Sequence, residues 1–199
     1  MSSSVLMNLL RQIYHKLPTP PSTYYMFKKL DHSPYEFLQD NAIIFDIGSK
    51  DNVGEEYAFA KPPTNARVVC VDIEAGLEID LVAAAHALFM VADSSIDCVV
   101  TVSTPGHIRY PQKVMKEIHR ILRPGRILYV GVPFMFPFNN DPYDFYRFSS
   151  DGVKILCEDF ECIESGFNRG PALCMCRLLV HCLRNNLVVQ QQNNLWYLM

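Results

Sequence analysis

A chain of 199 residues has room for one domain of ordinary size and can bury a core without help from disulfides or metals. Its 49% hydrophobic and 20% charged residues are ordinary for a globular protein and exclude a disordered or collagen-like chain. A net charge of −3 and a pI near 6 leave no basic footprint, so nucleic acid is not an expected partner.

Residues 5–17 put Leu6, Leu9, Leu10, Ile13, Tyr14 and Leu17 at helical spacing. Ser3 or Ser4 is available as N-cap, and Pro18 is the stop. Its positive face is thin, which favours a lid or packing helix over a membrane-surface one. Pro18-Thr19-Pro20-Pro21-Ser22 reads as a linker, and 23–40 as a weaker helical segment rich in Tyr and Phe. Together 1–40 form an N-terminal helical cap.

From residue 42 short apolar runs alternate with helical or loop stretches, the pattern of buried parallel strands joined by crossovers. The runs are Ala42–Ile47, Arg67–Asp72, Cys98–Ser103 and Ile127–Val132. Gln112–Leu122 carries an apolar stripe of Val114, Met115, Ile118, Ile121 and Leu122, and Pro124-Gly125 is expected to end that helix. The reading is an α/β fold with a mostly parallel sheet over 41–170.

The stretch 133–152, with three prolines and seven aromatics by Phe148, is an irregular loop at a strand end. Beyond it, Asp151–Cys157 reads as a helix, Phe160–Ser165 as a short strand and Ala172–Leu183 as an apolar helix. Residues 171–199 form a C-terminal helical extension of the same domain. Leu195-Trp196-Tyr197-Leu198 is placed to pack back, and Leu178-Leu179-Val180 offers a surface for a homodimer or else closes the sheet.

Seven scattered cysteines include one CxC, Cys174-Met175-Cys176, with no CxxC or Cys/His zinc pattern. They read as small reduced hydrophobes, with no metal expected. No apolar run approaches the roughly 20 residues of a membrane span, and Met1-Ser2-Ser3-Ser4 lacks a signal-peptide n-region. The expectation is a cytoplasmic protein without integral membrane contact.

In open α/β sheets ligands bind beyond the carboxyl ends of the strands. The first strand ends Phe45-Asp46-Ile47-Gly48-Ser49, where Gly48 permits a tight turn and Asp46 can receive an ammonium or bond the loop. The second ends Val71-Asp72-Ile73, placing an acid to accept from ribose hydroxyls beside an apolar face for a purine. The first loop lacks G-x-G-x-x-G, which disfavours a nicotinamide-dependent dehydrogenase.

Those two strand ends, Asp93-Ser94-Ser95-Ile96-Asp97-Cys98-Val99-Val100, and above all Glu117-Ile118-His119-Arg120-Ile121-Leu122-Arg123-Pro124-Gly125-Arg126 resemble class I S-adenosylmethionine-dependent methyltransferases of the type 11 branch. The likeness runs from about Ala42 to Gly170, and Pro142-Tyr143-Asp144-Phe145-Tyr146-Arg147-Phe148 resembles an element of one subgroup. It implies a Rossmann-like sheet of about six to seven strands, S-adenosylmethionine as cofactor, and a small-molecule methyl acceptor.

The resemblance implies that Asp46, Gly48 and Ser49 surround the methionine end of the cofactor. Asp72 holds the ribose, Ile73 flanks the adenine, and backbone groups at Ala85 and His86 reach its edge. Val102 and Ser103 line the floor below the sulfonium. His107 is a candidate general base, with a loop-fixing role as the alternative. Tyr143, Asp144, Tyr146 and Arg147 are candidates for the acceptor pocket; Arg147 can bind a carboxylate or phosphate bidentately, or simply pair with Asp144 at i,i+3.

Six positions depart from the family pattern. Lys50 and Asn52 take two glycine positions of the first loop, Ala84 stands where an adenine-contacting acid is usual, Phe89-Met90 replaces a Pro-Phe, and Arg126 replaces a glycine. Two readings follow: an active methyltransferase, or a catalytically degenerate methyltransferase-like domain serving as a binding or scaffold module.

Overall fold

The computed structural model describes residues 34–50, 62–139, 142–166 and 171–186. The expected helix over 5–17, the linker 18–22, the terminal 195–198 and Asn52 lie outside the described residues. The chain divides into two compact units. One comprises Leu30–Phe134 with Asn139–Ser165, and the other Met1–Lys29, Met135–Phe138 and Gly166–Met199.

The larger unit is built on five parallel strands: β1 (Ile43–Ile47), β2 (Arg67–Asp72), β3 (Leu81–Val82), β4 (Ile96–Val102) and β5 (Leu122–Gly131). Their order across the sheet is β3-β2-β1-β4-β5. β1 is therefore flanked by β2 and β4, and the direction in which successive parallel strands are added to the sheet reverses at the β1–β4 boundary. That boundary is the crevice where open α/β sheets take their ligands.

Alternation along the strands sends side chains to both faces. On one face Phe45, Ile47, Val71 and Val99 pack with the stripe of α1 (Pro111–Ile121), Val114, Met115, Ile118 and Ile121, and with Leu156 of α2 (Ser150–Leu156). On the other, Ile44, Cys98 and Val100 meet Tyr35, Val68, Ile127 and Tyr129. Burial on both faces explains why these strands read as continuous apolar runs.

The structure departs from the sequence reading in five places. The described residues hold five strands rather than six to seven. β3 is an added strand of two residues, too short for its pattern to show. In the described part of 23–40 the helical expectation shrinks to a 3-10 turn over Pro34–Phe37. Phe160–Ser165 forms no strand: Phe160 donates its N–H to Cys157 O in a turn (2.9 Å), and its ring meets the edge of His119.

Finally, α1 stops at Ile121, before Pro124-Gly125, and β5 begins at once. Leu122 pairs with Ile96, the ladder resumes at Ile127 opposite Cys98, and the exposed Pro124-Gly125 lies within that irregularity. Arg126 has a clear function there. It and Arg123 reach the buried Asp97 (3.3 and 2.6 Å), whose other oxygen accepts the Ile43 N–H at 3.0 Å. Burial pushes the Asp97 carboxyl up, but the Ile43 N–H and the two guanidiniums outweigh it and hold it below the usual carboxylate range.

The smaller unit contributes α3 (Pro171–Asn186), in which Arg177 lies over the Phe136 ring at 4.5 Å. No helix among the described residues is long and apolar enough to cross a membrane. All seven cysteines are free thiols; burial pushes those of Cys98 and Cys157 up to about 12 and about 11, respectively.

Candidate functional site

Gly48 closes β1 with φ +79, and its N–H donates to Val71 O at 2.7 Å. A Cβ built there would stand 2.0 Å from Thr104 Oγ1, so glycine is required by conformation and by space together. Thr104 begins the 3-10 turn after β4 (Thr104–His107). Its hydroxyl lies within hydrogen-bond reach of Ile47 O (3.0 Å) and Val102 O (3.2 Å), bridging the crevice between β1 and β4. Sequence reasoning passed over Thr104. The available signal was a hydroxyl residue just beyond a strand at the switch point.

Asp72 ends β2 and is 7% exposed. One carboxylate oxygen accepts the Lys50 N–H and the other the Glu74 N–H, both at 3.1 Å. A carboxylate offers about four acceptor positions, and these described backbone groups use two. Lys50 adopts φ +47, so this non-glycine residue keeps a glycine-like turn, at a cost of about 1 kcal/mol. The degenerate first loop thus retains a left-handed turn, pinned by Asp72.

Asp46 lies one residue before the end of β1, opposite Cys70 and Val100 in the ladder. Burial pushes its carboxyl from the ordinary 3.8 up to about 6. The Tyr35 hydroxyl is raised to about 12 by burial first and then by the charges of Cys98 and Asp46. A half-buried acid able to ionise near neutrality suits an ammonium ligand better than a fully solvated one.

A folded value above the unfolded one stabilises the protein fully below about pH 4, and that contribution is lost as pH rises through about 6. Asp46→Asn is therefore expected to flatten this part of the stability profile and to be more stable than the parent at about pH 8. Urea midpoints across that range check it; parallel profiles for the two proteins would refute the burial argument.

Val102 and Ser103 lie at the carboxyl end of β4, beside Gly48. Ser103 is left-handed (φ 63), and its N–H donates to Gly131 O at 2.7 Å. Ile73, 63% exposed, follows Asp72 directly. Ala83 N–H donates to Asp72 O (2.8 Å), so the stretch bearing Ala85 and His86 leaves the sheet beside the β2 end; His86 is exposed.

The post-β4 turn is stitched to the aromatic loop. Gly106 O accepts from Phe145 N (2.9 Å) and Tyr146 N (3.0 Å), and a Cβ at Gly106 would press on Tyr146 O. His107 Nδ1 bonds Tyr143 O; a carbonyl only accepts, so Nδ1 carries the proton and Nε2 is left as the acceptor nitrogen. Tyr146 donates its hydroxyl to Arg109 O at 3.0 Å.

Asp144 and Arg147 pair with each other through both guanidinium Nη atoms, and Asp144 also accepts the Asn139 N–H (2.7 Å). The Arg147 side chain beside it holds the Asp144 carboxyl down at about 2. This is the loop-holding arrangement that i,i+3 spacing allowed. Tyr143, 61% exposed, is the most open member of the four.

Comparison with known proteins agrees with this architecture. Residues 46–130 match a family model described as a methyltransferase domain. A crystal structure of a SAM-dependent methyltransferase from Archaeoglobus fulgidus is 13% identical with a TM-score of 0.51, over 92% of this chain and 88% of that one. Phosphoethanolamine N-methyltransferase 2 of Haemonchus contortus, in complex with S-adenosyl-L-methionine, is 15% identical with a TM-score of 0.53, over 79% of this chain.

The chain spans 42% of the Haemonchus protein. It likewise spans 62% of a chain from the Haloferax volcanii complex containing the Trm112 methyltransferase activator (61% of this chain covered, 17% identity, TM-score 0.47). No curated protein matches. At these identities the Archaeoglobus and Haemonchus structures speak for the fold alone, and the family match speaks for the segment it covers. Residues 46–130 thus match a methyltransferase domain, and the sheet that carries them is Rossmann-like.

Proposed function

We propose that the chain binds S-adenosylmethionine at the carboxyl ends of β1, β2 and β4 and directs its methyl group to a small-molecule acceptor. The observation that carries this reading is Asp72: a buried strand-end carboxylate that braces the β1 loop and has acceptor capacity for ribose hydroxyls. Asp46, Gly48 and Ser49 border the methionine end, Ile73, Ala85 and His86 the adenine, and Val102 and Ser103 the floor.

The residues fit the cofactor's chemistry, since the buried Asp72 and the half-buried Asp46 beside a left-handed glycine suit a cationic nucleoside. When bound, the cofactor supplies an electrophilic methyl on a sulfonium. The chain's own task is then alignment and exclusion of water, and a base is needed only if the acceptor loses a proton at or before transfer. His107 Nε2 is the nitrogen that would take such a proton, while its Nδ1–H fixes the ring on Tyr143 O. Tyr143 and Tyr146 form the aromatic wall of the acceptor side, with the Asp144–Arg147 pair shaping the loop.

A second reading, a binding or scaffold module without turnover, draws on Thr104, whose side chain fills the space beside Gly48. Calorimetric titration with S-adenosylmethionine and S-adenosylhomocysteine separates the readings. Saturable binding is expected, and absence of heat and of thermal shift at millimolar ligand would overturn the proposal. Binding without transfer of a labelled methyl group to any member of a metabolite pool would favour the second reading.

A further inference from the structure

The Glu117-x-x-Arg120 segment of α1 makes a clamp whose target is the backbone near the adenine end of the site. Arg120 donates Nε and Nη2 to the Glu117 carboxylate (3.0 and 2.8 Å), Nη1 to Val91 O (2.9 Å) and Asp93, and Nη2 to Leu88 O (3.0 Å). Glu117 Oε1 accepts the Leu88 N–H at 2.8 Å. The acid therefore holds the N–H of Leu88 and the base its C=O, while the Leu88 side chain is fully buried.

At the other end of this stretch Ala83 N–H donates to Asp72 O (2.8 Å), and Ala87 N–H closes a turn onto Ala84 O (2.8 Å). Residues 84–87 thus span two fixed points, one set by β2 and one by the clamp. Ala84, Ala85 and Ala87 offer no polar side chain, so apart from the exposed His86 it is the backbone of this span that can read the edge of a base. A backbone reader discriminates only if it is rigid, because its donors and acceptors cannot adjust by rotamer.

We propose that Glu117 and Arg120 are positioning residues that hold the backbone of Ala85 and His86 in register to recognise the 6-amino edge of adenine. This rests on the functional reading above. Neither residue is a catalytic one; both act through Leu88 and Val91. The Arg120 guanidinium holds the Glu117 carboxyl below its usual range, so the pair stays charged at neutral pH.

The second clamp at the same helix–strand junction, Arg123 with Asp97, supplies the control. It braces Ile43 N at the opposite, amino-terminal end of the strands. Wild type, Arg120→Lys, Glu117→Gln and Arg123→Lys are titrated with S-adenosylhomocysteine and with its 6-oxo (inosine) analogue, below their unfolding midpoints. Lysine keeps the charge at Arg120 but loses the planar fork.

Wild type is expected to prefer the adenine ligand. Arg120→Lys should lose about tenfold in affinity for it and most of that preference, with Glu117→Gln changing in the same direction. Arg123→Lys should lower the unfolding midpoint yet keep both affinities within about twofold. Equal losses for the two ligands in both clamp variants, unchanged preference in them, or a wild type indifferent to the 6-position would overturn the inference. Should Arg120→Lys fail to fold, Glu117→Gln decides. A wild type that binds neither ligand overturns the functional reading, and this inference with it.

Discussion

Replacing Asp72 by alanine is expected to lower affinity for S-adenosylhomocysteine by about ten- to a hundredfold, the value of hydrogen bonds to a charged acceptor. Two losses coincide. The ribose hydroxyls lose their acceptor, and the Lys50 N–H loses the oxygen that holds it at φ +47. Lys50 adopts a strained conformation that persists only where its surroundings impose it. Without Asp72 the loop is expected to relax, so the site loses both a contact and its shape.

Asp72→Asn separates these contributions. The amide keeps one acceptor oxygen for the Lys50 or the Glu74 N–H but presents donors where the second oxygen stood. It is expected to retain more of the folding stability than Asp72→Ala while still binding weakly. Calorimetry with thermal unfolding on the same samples reads both quantities. Alanine and wild-type proteins of equal affinity would remove Asp72 from the site.

The central sheet was legible because its strands are buried on both faces and read as unbroken apolar runs. The helix over Pro111–Ile121 was legible because its stripe repeats at helical spacing. Periodicity fails where pairing decides. Phe160–Ser165 has a strand-like pattern, but its Phe160 is held in a turn onto Cys157 and packed against the core, so no ladder forms. β3 has the reverse history: Leu81 and Val82 carry little pattern and become a strand because β2 offers them an edge.

In the site, local features were readable and long-range ones were not. Gly48 and Asp72 sit at strand ends, and Asp144 and Arg147 sit at i,i+3, so their placement follows from spacing. Thr104 bonds a carbonyl 57 positions earlier, and Arg120 reaches back to Leu88, 32 positions away. No window of sequence contains both partners. The Glu117-x-x-Arg120 segment could therefore be seen as a signature without its target being seen at all.

Gly48→Ala is expected to cost about 2–5 kcal/mol of stability, from two separable sources. A non-glycine residue at φ +79 carries backbone strain of about 1–2 kcal/mol wherever it occurs. The methyl group would also enter the space of Thr104, 2.0 Å from Oγ1 and 2.6 Å from Cγ2, and so displace the hydroxyl from Ile47 O. The second source is partly removable. Trimming Thr104 to alanine deletes the two nearest atoms but leaves its Cβ at 2.8 Å, so Gly48→Ala with Thr104→Ala is expected to recover part of the collision cost, about 1–2 kcal/mol, and none of the strain. Thr104→Ala alone forfeits one partly buried hydrogen bond, about 1 kcal/mol, and opens the crevice above Gly48. Urea unfolding of the four proteins completes the double-mutant cycle. A coupling energy near zero would show that Thr104 moves aside freely, so that the crevice between β1 and β4 opens at little cost. Strong coupling would instead mean that a ligand entering beside Gly48 must first break the Thr104 bridge, making that hydroxyl the step that every occupant of the site displaces.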